Sequence, residues 1–221
     1  PDDHTFGIEG GVNGLLLLAV IGLVLMSGTW KPGITFDIAG PGTHTISPTS
    51  ALPQITRPVL IDGFSQPGSA PNTAAIDEAI DAVVLIELSG ASTTGAGLQL
   101  GAGSGGSTIR GLAINGFSFT AIAISGAGDQ TIAGNHIGVE PDGSPGVSSQ
   151  SEGVLVLSSG NLIGGVDPAD RNLISGNANA GIWLAGAAAS LNLIRGNFIG
   201  TDPTGTIAVP NGSGGVWISG V

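Results

Sequence analysis

Five short segments recur along the chain: GLQL (Gly97 to Leu100), AIAI (Ala121 to Ile124), GVLVL (Gly153 to Leu157), GIWL (Gly181 to Leu184) and GVWI (Gly215 to Ile218). In each, aliphatic residues alternate with others at a period of two, the pattern of a half-buried strand. Strands this short make no stable sheet on their own, and the copies lie too far apart to be hairpins. Each must therefore pair with its copy in the next coil, giving parallel sheets that run along one axis and continuous aliphatic stacks inside them. The reading is all-β: a right-handed parallel β-helix, a solenoid with these five segments aligned in one sheet.

A second motif interleaves with the first. An aliphatic residue, any residue, Gly and Asn recur at Ile132 to Asn135, Ile174 to Asn177 and Ile194 to Asn197. Asn after Gly suits a left-handed corner, and stacked Asn side chains can hydrogen-bond from coil to coil. Asn135, Asn177 and Asn197 are accordingly expected to form one corner ladder. A longer echo sets GNHIGVEPDGSPG at Gly134 against GNFIGTDPTGT at Gly196, and Gly153 against Gly215, at a shared offset of 62 residues. The stretches VEPDGSPG, GGVDPADRN and GTDPTGT are turn chemistry between rungs.

The N-terminal part differs. From Gly10 to Trp30 the chain has no charged residue, and Leu15 to Met26 reads LLLLAVIGLVLM. Two readings stand for residues 1–33, with the solenoid assigned to 34–221. One is a hydrophobic helix capping the open end of the solenoid; the other is a membrane segment, since roughly 20 apolar residues cross a bilayer. The acidic start (Asp2, Asp3, Glu9) does not fit the basic leader of a signal peptide. The chain opens on Pro1 and ends at Val221 within a strand pattern, as a piece of something longer would.

Charge narrows the partners. Sixteen acidic residues against five Lys and Arg give −11, and the scattered Arg57, Arg110, Arg171 and Arg195 make no phosphate-binding patch, so nucleic acid is not an expected partner. Membrane contact is expected only through residues 10–30. There is no Cys, which removes thiolate metal sites and cysteine nucleophiles.

The segments ITFDIAGPGTHTISPTSALPQITRPVLIDGFSQPG, IELSG, RNLISGN, GNFIGTDPTGT and PNGSGGVWI resemble large bacterial surface or secreted proteins with right-handed β-helix repeats. These are pectate-lyase-like relatives that often carry a CSLREA-type N-terminal segment. The resemblance runs from Ile34 to Val221. It implies the fold and an extracellular or cell-surface location, but it does not choose between enzymes, adhesins and structural proteins. Within residues 10–33, GVNGLLLLAVIGLVLMSGTWKPG also resembles a transmembrane segment of sodium/proton antiporters of the NhaD and citrate-transporter type. It has no catalytic motif, and it would place a fusion join near Gly33.

For such relatives the resemblance implies two chemistries. Lyases use an Arg or Lys base beside Ca²⁺ held by acidic residues, and hydrolases use paired carboxylates. Asp167, Asp170 and Arg171, in one loop, are the catalytic candidates, and Asp142 and Asp202 are candidates for holding Ca²⁺; otherwise no cofactor is expected. His136 sits within a rung as a structural residue. Trp183 and Trp217 occupy matched places in GIWL and GVWI, opposite the aliphatic face, and are expected to point outward as an aromatic strip for sugar rings. The expected function is a non-catalytic extracellular or cell-surface module, structural or adhesive, with polysaccharide or cell-surface glycan as its partner. The alternative is a lyase or glycoside hydrolase acting on acidic polysaccharide.

Overall fold

The computed structural model describes residues 5–9, 33–146 and 150–220, and the apolar run Leu15 to Met26 lies outside them. The described chain winds into three sheets, and every strand pair within them is parallel. Sheet A stacks β1 (Thr5–Glu9), β2 (Gly33–Asp37), β4 (Leu60–Asp62), β7 (Thr108–Arg110), β10 (Thr131–Ala133), β13 (Leu162–Gly164) and β16 (Leu193–Arg195). Sheet B stacks β3 (His44–Ile46), β5 (Ile86–Ser89), β8 (Leu112–Asn115), β11 (His136–Ile137), β14 (Leu173–Ile174) and β17 (Phe198–Ile199). Sheet C stacks β6 (Leu98–Leu100), β9 (Ile122–Ile124), β12 (Val154–Val156), β15 (Ala180–Ala185) and β18 (Gly214–Ser219). From β4 onward the chain visits A, B and C in turn, once per coil, and the coil is right-handed, as parallel crossovers demand. The five alternating segments of the sequence form sheet C in the expected order.

Alternation builds the core. Ile34, Ile61, Ile109, Ile132, Ile163 and Ile194 stand in register on the inner face of sheet A. Ile46, Leu88, Ile114, Ile137, Ile174 and Ile199 do the same in sheet B. Leu98, Ile122, Val154, Ile182 and Val216 make one inner row of sheet C. Branched aliphatics suit these columns because they pack on the pleated surface with little rotamer freedom to lose. Each interior member is almost fully buried, which stabilises by about 1.5–3 kcal/mol per side chain before entropy is counted.

The corners are held by side-chain amides, and here the structure divides the expected ladder. Asn135, Asn172 and Asn197 form one column at the A-to-B corner: Asn135 Nδ2 donates to Asn172 Oδ1 at 3.2 Å, and Asn172 Nδ2 to Asn197 Oδ1 at 2.8 Å. Leu112 takes the Asn place one rung earlier, where its N–H caps the column on Asn135 Oδ1. Asn177 does not belong to this column. It sits at the B-to-C corner, where Gln150 donates to it and it donates to Asn211 Oδ1 at 2.7 Å. The aliphatic-x-Gly-Asn motif follows a sheet A strand at Ile132 and Ile194 but a sheet B strand at Ile174, so one motif serves two corners. A third column of Gln130, Asn161 and Asn192 closes the C-to-A corner with 31 residues between successive members. The 62-residue echo therefore spans two coils. Gly before Asn is a conformational need: Gly134 and Gly196 have φ of +66° and +68°, and a Cβ there would meet the Ala169 and Gly165 carbonyl oxygens at 2.8 and 2.3 Å.

Loops leave the coil at the corners. The longest among the described residues, between β4 and β5, opens with the 3-10 turn Gly63–Ser65 and packs its Ile80 on the cluster of Leu173 and Phe198 in sheet B. Asn72 donates to Pro168 O at 3.0 Å and Ile80 N–H to Pro203 O at 2.8 Å, so the loop reaches the last coils. Under it lies a small second core of Val139, Leu173 and Val209, with Ile80 and Phe198 packed against it.

Candidate functional site

The outer face of sheet C carries the aromatic pair. Alternation puts Ile182 and Leu184 inside, buried, and Trp183 between them on the other face. The outward row reads Gln99, Ala123, Leu155, Trp183, Trp217 in register from coil to coil. The two indoles are stacked, with centroids 5.2 Å apart and planes 16° from parallel. Trp183 Nε1 donates to Ser219 Oγ at 2.9 Å, which fixes its orientation. Trp183 is half-buried and Trp217 is 46% exposed. The stack changes what the strip offers: each Trp covers one face of the other. A sugar ring can meet the indole edges and the remaining face of Trp217, not a succession of open faces.

The loop candidates Asp167, Asp170 and Arg171 are adjacent in sequence but do not converge. Asp167 precedes the 3-10 turn Pro168–Asp170 and its side chain makes no cap hydrogen bond. Asp170 packs over Gly165, and its charge, after that of Asp62, helps raise the pKa of Arg110 on the outer face of sheet A. Arg171 turns the other way, toward sheet B. It is 3% exposed, and its guanidinium donates to the carbonyls of Ala75 (2.9 Å) and Glu78 (3.3 Å) and lies over the Phe198 ring. A guanidinium so held is a clamp for the long loop.

Asp142 and Asp202 each close their own turn. The Ser144 hydroxyl and N–H hold the Asp142 carboxyl below its ordinary pKa. For Asp202, desolvation pushes the pKa up, but hydrogen bonds from the Thr204 hydroxyl and from the N–H groups of Ile207 and Thr206 outweigh it and leave it lowered. Among the described residues no three His, Asp or Glu side chains gather as a metal-ligating group.

Two features were not anticipated from sequence. Asp62 and Arg110, neighbours in the outward row of sheet A, form an ion pair at 2.5 Å. Glu87, buried on the outer face of sheet B, accepts from Thr45 Oγ1 at 2.6 Å and Asn115 Nδ2 at 2.9 Å. It lines a cleft of about 380 Å³ together with Thr45, Glu140, Asp142 and Ser144. The only signal for Glu87 was a charged residue at an alternating position in IELSG. His136 behaves as a structural residue: burial lowers its pKa to about 4, and its Nδ1, 3.0 Å from the Pro141 carbonyl, must carry the proton of the neutral ring.

Comparison of the chain with protein-family models, with curated proteins and with solved structures finds no match, so the structure places it by architecture alone, as a parallel β-helix.

Proposed function

We propose that the chain is a non-catalytic extracellular or cell-surface module, a rigid β-helix of structural or adhesive kind that meets carbohydrate on the outer face of sheet C. The observation that carries this reading is the role of the polar loop groups. Arg171 clamps a loop, Asp142 and Asp202 close turns, and Arg110 pairs with Asp62, whereas the outward row from Gln99 to Trp217 is uncharged and ends in an exposed indole. Kinship with bacterial pectate-lyase-like surface proteins fits the architecture, and such folds host binding and structural roles as readily as catalysis.

The test pairs turnover with binding. Incubation with polygalacturonate and other uronate polymers should give no unsaturated product absorbing in the ultraviolet, while oligosaccharides that bind should perturb Trp fluorescence. Product formation abolished by Arg171→Gln, in a protein that still folds, would overturn the reading in favour of a lyase.

A glycoside hydrolase or lyase is the second reading, and the cleft holding Glu87, Glu140 and Asp142 favours it, because carboxylates from two separate elements share one wall. Release of reducing ends that disappears in Glu87→Gln would establish it.

A further inference from the structure

The B-to-C corner of the early coils carries a different kind of surface. The loop after β3 supplies Thr49, Ser50 and Ala51, and the loop after β5 supplies Ala91, Ser92, Thr93 and Thr94; between them lies a groove of about 630 Å³. That volume is in the range of roughly 300–1,000 Å³ typical of small-ligand sites. None of these side chains is ionisable, five end in a hydroxyl and two in a methyl. Thr93 Oγ1 is buried and closed to the groove, so the hydroxyls open to a ligand are those of Thr49, Ser50, Ser92 and Thr94, all on exposed residues.

The next loop sets an aromatic ring beside this groove. Ser118 Oγ donates to Thr93 O at 3.4 Å, and Phe119 N–H donates to Gly95 O at 3.2 Å. Two residues apart, Phe117 and Phe119 divide the labour of the corner: Phe117 is fully buried against Gly90 and Gly97, and Phe119 is 62% exposed. The exposed phenyl ring is therefore carried on backbone that hydrogen-bonds to Gly95, the residue after Thr93 and Thr94 of the groove.

We propose that this groove binds a neutral saccharide. Hydroxyl side chains both give and accept hydrogen bonds, matching the alternating hydroxyls of a sugar, and a phenyl face packs on the C–H surface of a pyranose ring. The class is neutral because no cation lines the groove to hold a carboxylate, and a chain of net charge −11 repels polyuronate. The inference rests on the carbohydrate-contacting reading above but uses a surface separate from Trp183 and Trp217.

The experiment titrates the full chain with cellohexaose, maltohexaose, mannohexaose and hexagalacturonate by calorimetry, with circular dichroism to confirm folding of each variant. At least one neutral hexasaccharide should bind. Phe119→Ala and Ser92→Ala should each weaken it about tenfold, and Trp217→Ala should leave it unchanged. If Ser92→Ala fails to fold, Thr94→Val takes its place and should also weaken binding. Binding lost in Trp217→Ala and indifferent to Phe119 and Ser92 would overturn the groove while leaving the adhesive reading in place. Binding of hexagalacturonate alone, or of none of the four, would overturn the groove as well. Turnover of uronate polymer is read separately and bears only on the earlier reading.

Discussion

The guanidinium carbon of Arg171 lies 4.9 Å from the centre of the Phe198 ring, so one arginine joins the coil of β14 to that of β17. The same group reaches Ala75 and Glu78 in the loop between β4 and β5, up to 96 residues earlier in sequence. Loop and coils are thereby made one unit on the outside of sheet B. Arg171→Ala should cost about 2–4 kcal/mol, from two charge-assisted hydrogen bonds and a cation–π contact that do not add fully. Arg171→Lys should recover part of this, because a point charge lacks the planar fork. Denaturant unfolding measures the loss, and limited proteolysis should show new cleavage within residues 71–82. Unchanged stability and no new cleavage would show that the loop is held by other contacts.

The amide columns make a second prediction. Asn172 is fully buried; its Nδ2 donates to Ile132 O and Asn197 Oδ1, both at 2.8 Å, while its Oδ1 accepts from Asn135. Asn172→Ala leaves partners on both neighbouring rungs unsatisfied and should cost about 2–4 kcal/mol. Asn172→Asp should be worse at neutral pH, since a carboxylate has no proton to give to two facing oxygens. Exposed Asn179, bonded to Glu152 at 3.3 Å, is the control, and its Ala variant should stay within about 0.5 kcal/mol of the parent. Equal losses at positions 172 and 179 would refute a special role for the column.

These columns also show how far the sequence could be read. Sheet C was legible because its strands alternate and are flanked by Gly, which gives each rung a recognisable frame. The amide columns were only half legible. Asn-Leu-Ile occurs at Asn161, Asn172 and Asn192, each time just before a strand, but the tripeptide precedes sheet A twice and sheet B once. A local motif states that a corner needs an amide; it does not state which corner, because that depends on how many residues the intervening loops take up. For the same reason the loop 66–85 could not be placed: what fixes it are contacts with Pro168, Arg171 and Pro203, far along the chain. The outward direction of Trp183 followed from alternation, whereas its stacking on Trp217 required the register of two coils.

That stack has a measurable signature. Two parallel indoles with centroids 5.2 Å apart should couple their transitions and give an exciton couplet in circular dichroism, lost in either single Ala variant. Trp217→Ala should destabilise by about 1 kcal/mol, and Trp183→Ala by about 2 kcal/mol, because Trp183 is the more buried and also loses its bond to Ser219. A double-mutant cycle should return a coupling of about 0.5–1.5 kcal/mol. Absence of both couplet and coupling would mean that the rings do not stack in solution.

The last prediction concerns pH. Burial lowers the pKa of His136 from 6.5 to about 4, against weaker upward pulls from the Pro141 and Glu140 carbonyls and the nearby charge of Asp142. Between these two values the unfolded chain binds a proton that the folded chain refuses, so stability rises with pH through this window and falls as pH drops. The loss on going from pH 7 to pH 4 should approach about 3 kcal/mol for this one residue. The carboxyl of Asp142 is itself lowered, so the stability it contributes is lost only as pH falls below the ordinary carboxylate value of 3.8, under the histidine window. The two effects are therefore separable in a series of denaturation midpoints. His136→Gln should flatten the dependence between pH 6.5 and 4 while leaving the steeper loss at lower pH. A His136→Gln curve parallel to that of the parent through this window would show that the imidazole is protonated in the folded protein and that its burial does not govern its titration.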